Sequence, residues 1–523
     1  MVDDTSRPVA GDTLWGLLES RALQSPRDTM LVDALTGREI SFAEFHASAL
    51  ECASWLHHHG VQAGSVVAWQ LPTRIDSAVV CWALARLGAT QVPVIHAYRE
   101  REIREVTRQS RPAFFITPSA DASEDYTARV ARAVEGESEL AILVVPERWA
   151  PIASSLPPAP GAIDGTVVRW HYYTSGTSSR PKAVLHTDHS LMAAGRGMAT
   201  LLGMRSDDIG SVGYPFAHVG GVAYLAASLG VGASVVLLER FIPSEAVSAY
   251  RRYGVTFGGG STAHYQALLA EQRRRPGITV MPALKVLAGG GASKPATLFH
   301  QVKQELGCAI VHAYGLTEAP ISTFNSPDDS DEQLANSDGI PIPGVELRIA
   351  RTDGSVAEPG ESGEILVRGP NVCRGYLDET LTRDLFDEHG FLRTGDVGYI
   401  RPDGRLRVTG RIKDVIIRKG ENITALEIEE LLLTHPKVRD VAVIGLPDDE
   451  RGERVCAVVV PHNASDALSF GEMQTFLAER RLMKQKFPEQ LEIMASLPRN
   501  EALQKVMKSE LRKMLMAQST ART

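Results

Sequence analysis

The chain has 523 residues, 44% of them hydrophobic and 23% charged, which is a globular composition with little room for long disorder and more chain than one core usually supports. With 55 basic against 63 acidic residues, the net charge of −8 argues against a general attraction to nucleic acid or to an anionic membrane surface. The five cysteines, Cys52, Cys81, Cys308, Cys373 and Cys456, are scattered without C-x-x-C pairing, as suits free thiols in a reducing compartment, and they indicate neither zinc nor a disulfide framework.

The first residues, Met1-Val2-Asp3-Asp4, lack the basic-then-apolar layout of a signal peptide, so a cytoplasmic protein is expected. His57-His58-His59 stands at a predicted helix end before Gly60 with no Cys or acidic partner nearby, and a solvated surface accounts for it better than a metal. From about Ser65 to Tyr314 short apolar runs at 65–71, 89–94, 112–117, 140–145, 233–238 and 284–288 read as strands. Between them 76–87, 99–109, 188–202, 244–253 and 295–306 read as helices, an α/β pattern whose right-handed crossovers make parallel sheets. The most apolar stretch, 222–238, is broken by Ser228, Gly230, Gly232 and Ser234, and predicts a buried helix and strand instead of a membrane span. Residues 154–161 and 327–338 are loops by composition.

After about Asp338 the pattern changes to closely spaced strands at 345–350, 363–368, 398–401 and 405–409, with Asp403-Gly404 as a turn. Beyond Arg411 a short α+β pattern follows: helix 426–433, strands 438–445 and 455–460, helix 470–480 and a basic C-terminal helix. This predicts a separate small domain.

Chemistry concentrates in a few segments. Tyr172-Tyr173-Thr174-Ser175-Gly176-Thr177-Ser178-Ser179-Arg180-Pro181-Lys182 follows an apolar run and precedes a helical one, so its small residues allow backbone N–H groups to converge on phosphate while its hydroxyls and Lys182 add donors and charge. It is not a Walker A loop, since Ala183 follows the lysine. Gly289-Gly290-Gly291-Ala292 ends one predicted strand and Ala313-Tyr314-Gly315-Leu316-Thr317-Glu318 ends the next, the place where open α/β sheets bind ligands. A Tyr there suits a purine, Thr a phosphate and Glu a Mg²⁺ ion. Thr394-Gly395-Asp396 offers a carboxylate for ribose hydroxyls, with Gly410-Arg411-Ile412-Lys413-Asp414 and Lys419-Gly420-Glu421 beyond it. Each alone also reads as an ordinary turn or surface ion pair.

Together, in order and spacing from about Leu14 to Arg512, these segments resemble the adenylate-forming superfamily of acyl-CoA synthetases, peptide-synthetase adenylation domains and firefly luciferase. The resemblance implies a large N-terminal domain (1–412) of two doubly wound sheets plus a β-barrel-like layer, and a small mobile α+β C-terminal domain (413–523) hinged near Lys413. It implies that Thr174, Ser175, Gly176, Thr177 and Lys182 line the phosphate loop and that Gly290, Gly291, Tyr314 and Gly315 form the adenine site. By the same resemblance Thr317 meets the α-phosphate, Glu318 binds Mg²⁺, Asp396 holds the ribose, and Arg411 holds ribose or phosphate. Lys505 is implied as the catalytic lysine, and the face around Lys419-Gly420 would meet pantetheine. Two departures stand out: Ser179 replaces the family's usual glycine, and Pro498-Arg499-Asn500-Glu501-Ala502-Leu503-Gln504-Lys505 is one residue longer than the usual pattern, with Gln504 in place of glycine.

Amino-acid-activating relatives place an Asp in the segment that here reads Tyr214-Pro215-Phe216-Ala217-His218-Val219-Gly220-Gly221. An α-amino acid would therefore bury an unpaired ammonium. In the acyl-CoA synthetase pattern His218 lies by the substrate carboxylate. Gly258-Gly259-Gly260, in a segment that lines the family's acyl pocket, either leaves space there or simply ends a strand. The expected activity is ATP-dependent, AMP-forming ligation of a fatty, alicyclic or aryl acid to coenzyme A. Loading of a carrier-protein thiol and a non-catalytic nucleotide-binding role are the alternatives, and a homodimer is left open.

Overall fold

Six of the strands form a sheet whose order is Ala141–Val144, Phe114–Thr117, Val66–Trp69, Thr90–Pro93, Val168–Thr174 and Lys182–Thr187, parallel except for the last pair. The structure is a computed structural model that describes residues 9–119, 125–136, 140–149, 156–174, 181–419, 421–448, 450–499 and 506–520. Helices link strands within and between the sheets, and their ends are written locally. Thr187 caps helix Asp188–Leu202, which ends on left-handed Gly203, and Pro243 opens a helix closed by left-handed Gly254.

A second sheet of nine strands has a parallel centre running Ala309–Leu316, Val286–Gly290, Phe257–Gly260, Ile209–Val212, Ser234–Leu237 and Thr29–Asp33. Short antiparallel strands close both edges. The apolar stretch 222–238 forms the end of buried helix Val219–Val231 and strand Ser234–Leu237, divided at left-handed Gly232. No helix among the described residues is long and apolar enough to cross a membrane.

The later strands Glu346–Ala350, Gly363–Arg368, Leu392–Ile400 and Leu406–Arg411 make an antiparallel layer. A five-stranded sheet follows, built on the long hairpin Val438–Asp448 and Gly452–Pro461. Residues 327–338 are not all loop: Asp331–Asn336 is helical, because Ser330 and Gln333 form a capping box that satisfies its first turn.

Apolar side chains before Leu406 and those after Ile416 gather into different clusters, and among the described residues no cluster draws on both groups. Across the divide Arg407 pairs with Glu430 on helix Ala425–Leu432. Behind Arg407 lies Lys294, buried with its ammonium on the carbonyls of Leu334 and Ala335, and Asp338, which accepts from Val408 N at 2.8 Å.

His171, His186, His264 and His312 are all buried, and burial pushes each imidazole down to about 4. In the unfolded chain they titrate near 6.5, so below that pH the unfolded state binds the extra protons. Stability is therefore intact above about pH 6.5 and is lost progressively as pH falls toward 4. Urea unfolding measured across this range should show the loss beginning above the carboxylate region. A stability that stays flat down to pH 5 would contradict the buried neutral imidazoles.

Candidate active site

The floor of the site is where three parallel strands end side by side. Gly260 is level with Gly289, and Gly290 with Ala313. A Cβ at Gly289 would strike the Gly260 carbonyl and one at Gly290 the Ala313 carbonyl, so glycine here allows the strands to end flush. The same closeness decides between the two readings of Gly258-Gly259-Gly260. The run is strand Phe257–Gly260, and added methyl groups would meet Leu287 at 2.8 Å, the Ser211 carbonyl, and His264 Cβ at 2.9 Å. These glycines pack the sheet and do not open a pocket.

Tyr314, next along strand Ala309–Leu316, is buried and donates its hydroxyl to Asp396 Oδ2 at 2.9 Å. Burial and the neighbouring Asp396 carboxylate push the Tyr314 phenol well above its ordinary value, so it remains a donor. Asp396, 4% exposed, takes Arg411 Nε on its other oxygen at 2.8 Å, the two residues being cross-strand partners. Each carboxylate oxygen keeps a second lone pair for a ligand hydroxyl. Two strands of the antiparallel layer and one of the nine-stranded sheet thus converge on one carboxylate.

Beyond Gly315 the chain turns back through Thr317 and Glu318. Buried His186 donates Nε2–H to the Thr317 carbonyl at 2.7 Å, and Cys373 N donates to the Glu318 carbonyl at 2.8 Å. Tyr376 donates its hydroxyl to Glu318 Oε1 at 2.7 Å, and Lys182 Nζ lies 5.1 Å from the centre of the Tyr376 ring. Thr174 and Lys182 are cross-strand partners. One Glu318 oxygen remains for a cation. One carboxylate completed by substrate phosphate oxygens and water is a donor set that suits Mg²⁺.

His218 caps helix Val219–Val231. Its Nδ1 accepts from Gly220 N at 3.1 Å, and its ring lies edge-on to Tyr214 at 6.0 Å. Burial pushes the imidazole down to about 4, leaving a neutral ring that can donate from Nε2 without bringing charge. Beside Tyr214 a cavity of about 350 Å³ opens past the ends of strands Ile209–Val212, Ser234–Leu237 and Phe257–Gly260. Tyr214, Glu239 and the edge-to-face pair Phe241–His264, 4.4 Å between ring centres, are on its wall. Glu239 is an acidic group that the segment 214–221 does not contain. It is occupied by Arg74 Nε at 2.6 Å, which leaves it poorly placed to hold a substrate ammonium.

Tyr314, Asp396 and Arg411 are therefore brought together, as are Lys182, Glu318 and Tyr376, while Gly290, Gly291 and Gly315 lie at or just past the strand ends. His218 touches neither group and stands by the cavity. Ser175, Gly176, Thr177, Gly420 and Lys505 lie outside the described residues. Sequence reasoning passed over Tyr376 and His186. The first follows a Gly-Pro-Asn turn and carried no periodic signal, and the second sits in a strand where a buried histidine looks like any core residue.

Residues 18–377 match the family model described as AMP-binding enzyme, and residues 427–502 that of the AMP-binding enzyme C-terminal domain. The medium-chain fatty-acid–CoA ligase of Escherichia coli (strain K12) is 30% identical over 497 residues, 92% of this chain and 87% of that protein. The salicyl-AMP ligase / salicyl-S-ArCP synthetase of Mycobacterium tuberculosis is 32% identical over 478 residues, 88% and 82%. ATP-bound MatB from Rhodopseudomonas palustris superposes with a TM-score of 0.86 at 26% identity, over 97% of this chain and 99% of that one. The same protein without ligand gives 0.76 at equal identity and coverage.

Proposed function

The chain belongs to the AMP-binding enzyme family and is an AMP-forming acid–thiol ligase using ATP, Mg²⁺ and coenzyme A, and from this premise we propose how its residues divide the work. The observation that carries the proposal is the Tyr314–Asp396–Arg411 convergence at the strand ends, a buried carboxylate with lone pairs to spare beside glycines that let the strands end flush. Adenine lies over Gly290, Gly291, Tyr314 and Gly315, the ribose hydroxyls bond to Asp396 with Arg411 in support, and the loop from Thr174 through Ser175, Gly176 and Thr177 to Lys182 folds over the phosphates. Free thiols at all five cysteines, each buried, support a cytoplasmic setting.

A carboxylate is a poor electrophile, so its oxygen first attacks the α-phosphorus of ATP. The new acyl–O–P bond forms as the α–β bridging bond breaks, and pyrophosphate leaves with the electron pair. His218, neutral, donates to the attacking carboxylate without neutralising it. Thr317 donates to the α-phosphate, while Lys182 and Lys505 offset the charge that accumulates there. Mg²⁺, held by Glu318, would neutralise charge on the phosphate oxygens. In the second step a thiolate attacks the acyl carbon and AMP departs. The chain beyond Lys413 moves as a small domain about that residue, withdrawing Lys505 and bringing Gly420 to the thiol path. The acid is a non-amino fatty, alicyclic or aryl acid, which agrees with the engagement of Glu239 by Arg74.

A panel of such acids, scored for AMP release with and without coenzyme A, tests this. Release that depends on both the acid and coenzyme A is expected. Turnover only with a carrier protein, as the name of the mycobacterial relative suggests for that enzyme, would replace the acceptor, and no release with any acid would overturn the assignment. Tyr376→Phe removes the hydroxyl that orients Glu318. It should raise the Mg²⁺ concentration for half-maximal activity by about 10-fold or more, read by titrating Mg²⁺ at fixed ATP. An unchanged titration would detach Glu318 from the metal.

A further inference from the structure

Among the described residues, four without a glycine's freedom have positive φ: Arg111, Ile321, Lys419 and Arg481. Three are exposed, unbranched side chains, Arg111 at a helix C-terminus and Lys419 and Arg481 in turns. Ile321 is different, since it is β-branched, half-buried, and held at φ 52°, where its side chain crowds its own backbone. The cause lies in strand pairing. Tyr314 pairs with Thr323 but Leu316 with Ala319, so Pro320, Ile321 and Ser322 face Gly315 alone. The crowding is such that a Cβ at Gly315 would lie 2.5 Å from Ile321 N.

Such a conformation persists only where its surroundings over-determine it. Asn371, fully buried, donates through Nδ2 to the Pro320 carbonyl at 3.0 Å and to Ser322 Oγ at 3.2 Å, holding both flanks of Ile321. Ser322 Oγ donates in turn to the Ala319 carbonyl at 2.9 Å, and Ile342 N donates to the Ser322 carbonyl at 3.1 Å. The segment that supplies Asn371 also supplies Cys373 N and the Tyr376 hydroxyl to Glu318. One stretch of chain therefore holds Glu318 and, just beyond it, both flanks of Ile321.

We propose that Asn371 is a positioning residue for adenylate formation: by clamping Pro320 and Ser322 it keeps Ile321 left-handed, and the bulge so formed aims Thr317 and Glu318 at the nucleotide. This deepens the nucleotide-site assignment above and rests on it. Released from the clamp, Ile321 relaxes toward an ordinary conformation, and the turn is correctly set in only a minor fraction of molecules. Glycine at 321 would adopt the same conformation without strain and need no clamp.

The test is a double-mutant cycle of Asn371→Ala and Ile321→Gly, read by acid-dependent pyrophosphate exchange with the best acid of the panel. Asn371→Ala should lower the rate on the order of ten- to a hundred-fold, the scale of one strained backbone residue, Ile321→Gly should change it by about twofold or less, and the double variant should recover most of the loss. A merely structural asparagine would not be rescued by removing strain elsewhere, so an unrescued double variant, or a fully active Asn371→Ala, overturns the proposal. The thermal shift given by ATP with Mg²⁺ reads the same cycle without turnover. A parent that binds but never exchanges would overturn the ligase assignment alone. Should Asn371→Ala not fold, comparison of Ile321→Gly with Ile321→Ala decides: the glycine variant should melt higher, against the usual order, and the reverse would overturn the strain.

Discussion

Lys505→Ala should lower acid-dependent pyrophosphate exchange by about 10²–10³, the usual cost of removing one group aimed at developing charge, while thioester formation from supplied acyl-adenylate continues near the parent rate. The asymmetry follows from where charge appears. In the first step the α-phosphorus gains an oxygen ligand and the departing pyrophosphate carries away negative charge, so a cation at that point lowers the barrier. In the second step the acyl carbon is attacked, and the phosphate returns to a monoester. Equal loss in both half-reactions would mean that Lys505 has no selective role in the first. The lengthened Pro498–Lys505 segment makes the neighbouring Lys508 a useful control, because its Nζ is already engaged by Glu429 at 2.7 Å.

Asp396→Asn is expected to reduce kcat/KM for ATP by about 10², most of it in KM. The substitution keeps the volume of the side chain and still accepts from Tyr314, but it turns charge-assisted hydrogen bonds to the ribose into neutral ones, a difference of roughly 1 to 1.5 kcal/mol each. It also leaves Arg411 without its anion. Arg411→Ala should cost much less, because that guanidinium is 33% exposed and its pairing is screened by solvent. Steady-state exchange rates against ATP concentration check both. An Asp396→Asn enzyme with an unaltered KM for ATP would remove the carboxylate from the ribose.

Much of this site could be read from the residues because its parts end strands, and strand ends announce themselves. Gly289-Gly290-Gly291 and Tyr314-Gly315 each follow an apolar run. What could not be read depends on contacts between distant parts of the chain. The carboxylate of Asp396 meets Tyr314 across 82 residues, and Tyr376 meets Glu318 across 58. Nothing local says that strand Leu392–Ile400 begins six residues before the alternating segment that marked it, so Thr394-Gly395-Asp396 looked like a loop. The glycine run 258–260 left two readings open, and only packing decides between them, since Leu287, the Ser211 carbonyl and His264 fill the space its missing side chains leave. Helix Asp331–Asn336 was within reach, because Ser330 and Gln333 have the spacing of a capping box, but acidic composition concealed it.

The contact between Arg407 and Glu430 has a consequence for the domain motion proposed about Lys413. Among the described residues the apolar clusters on the two sides are separate, so parting this pair gives two charges to water and opens neither interior. Such a motion would break that pair without baring either core, the exposure that most often leads a moving protein to clump.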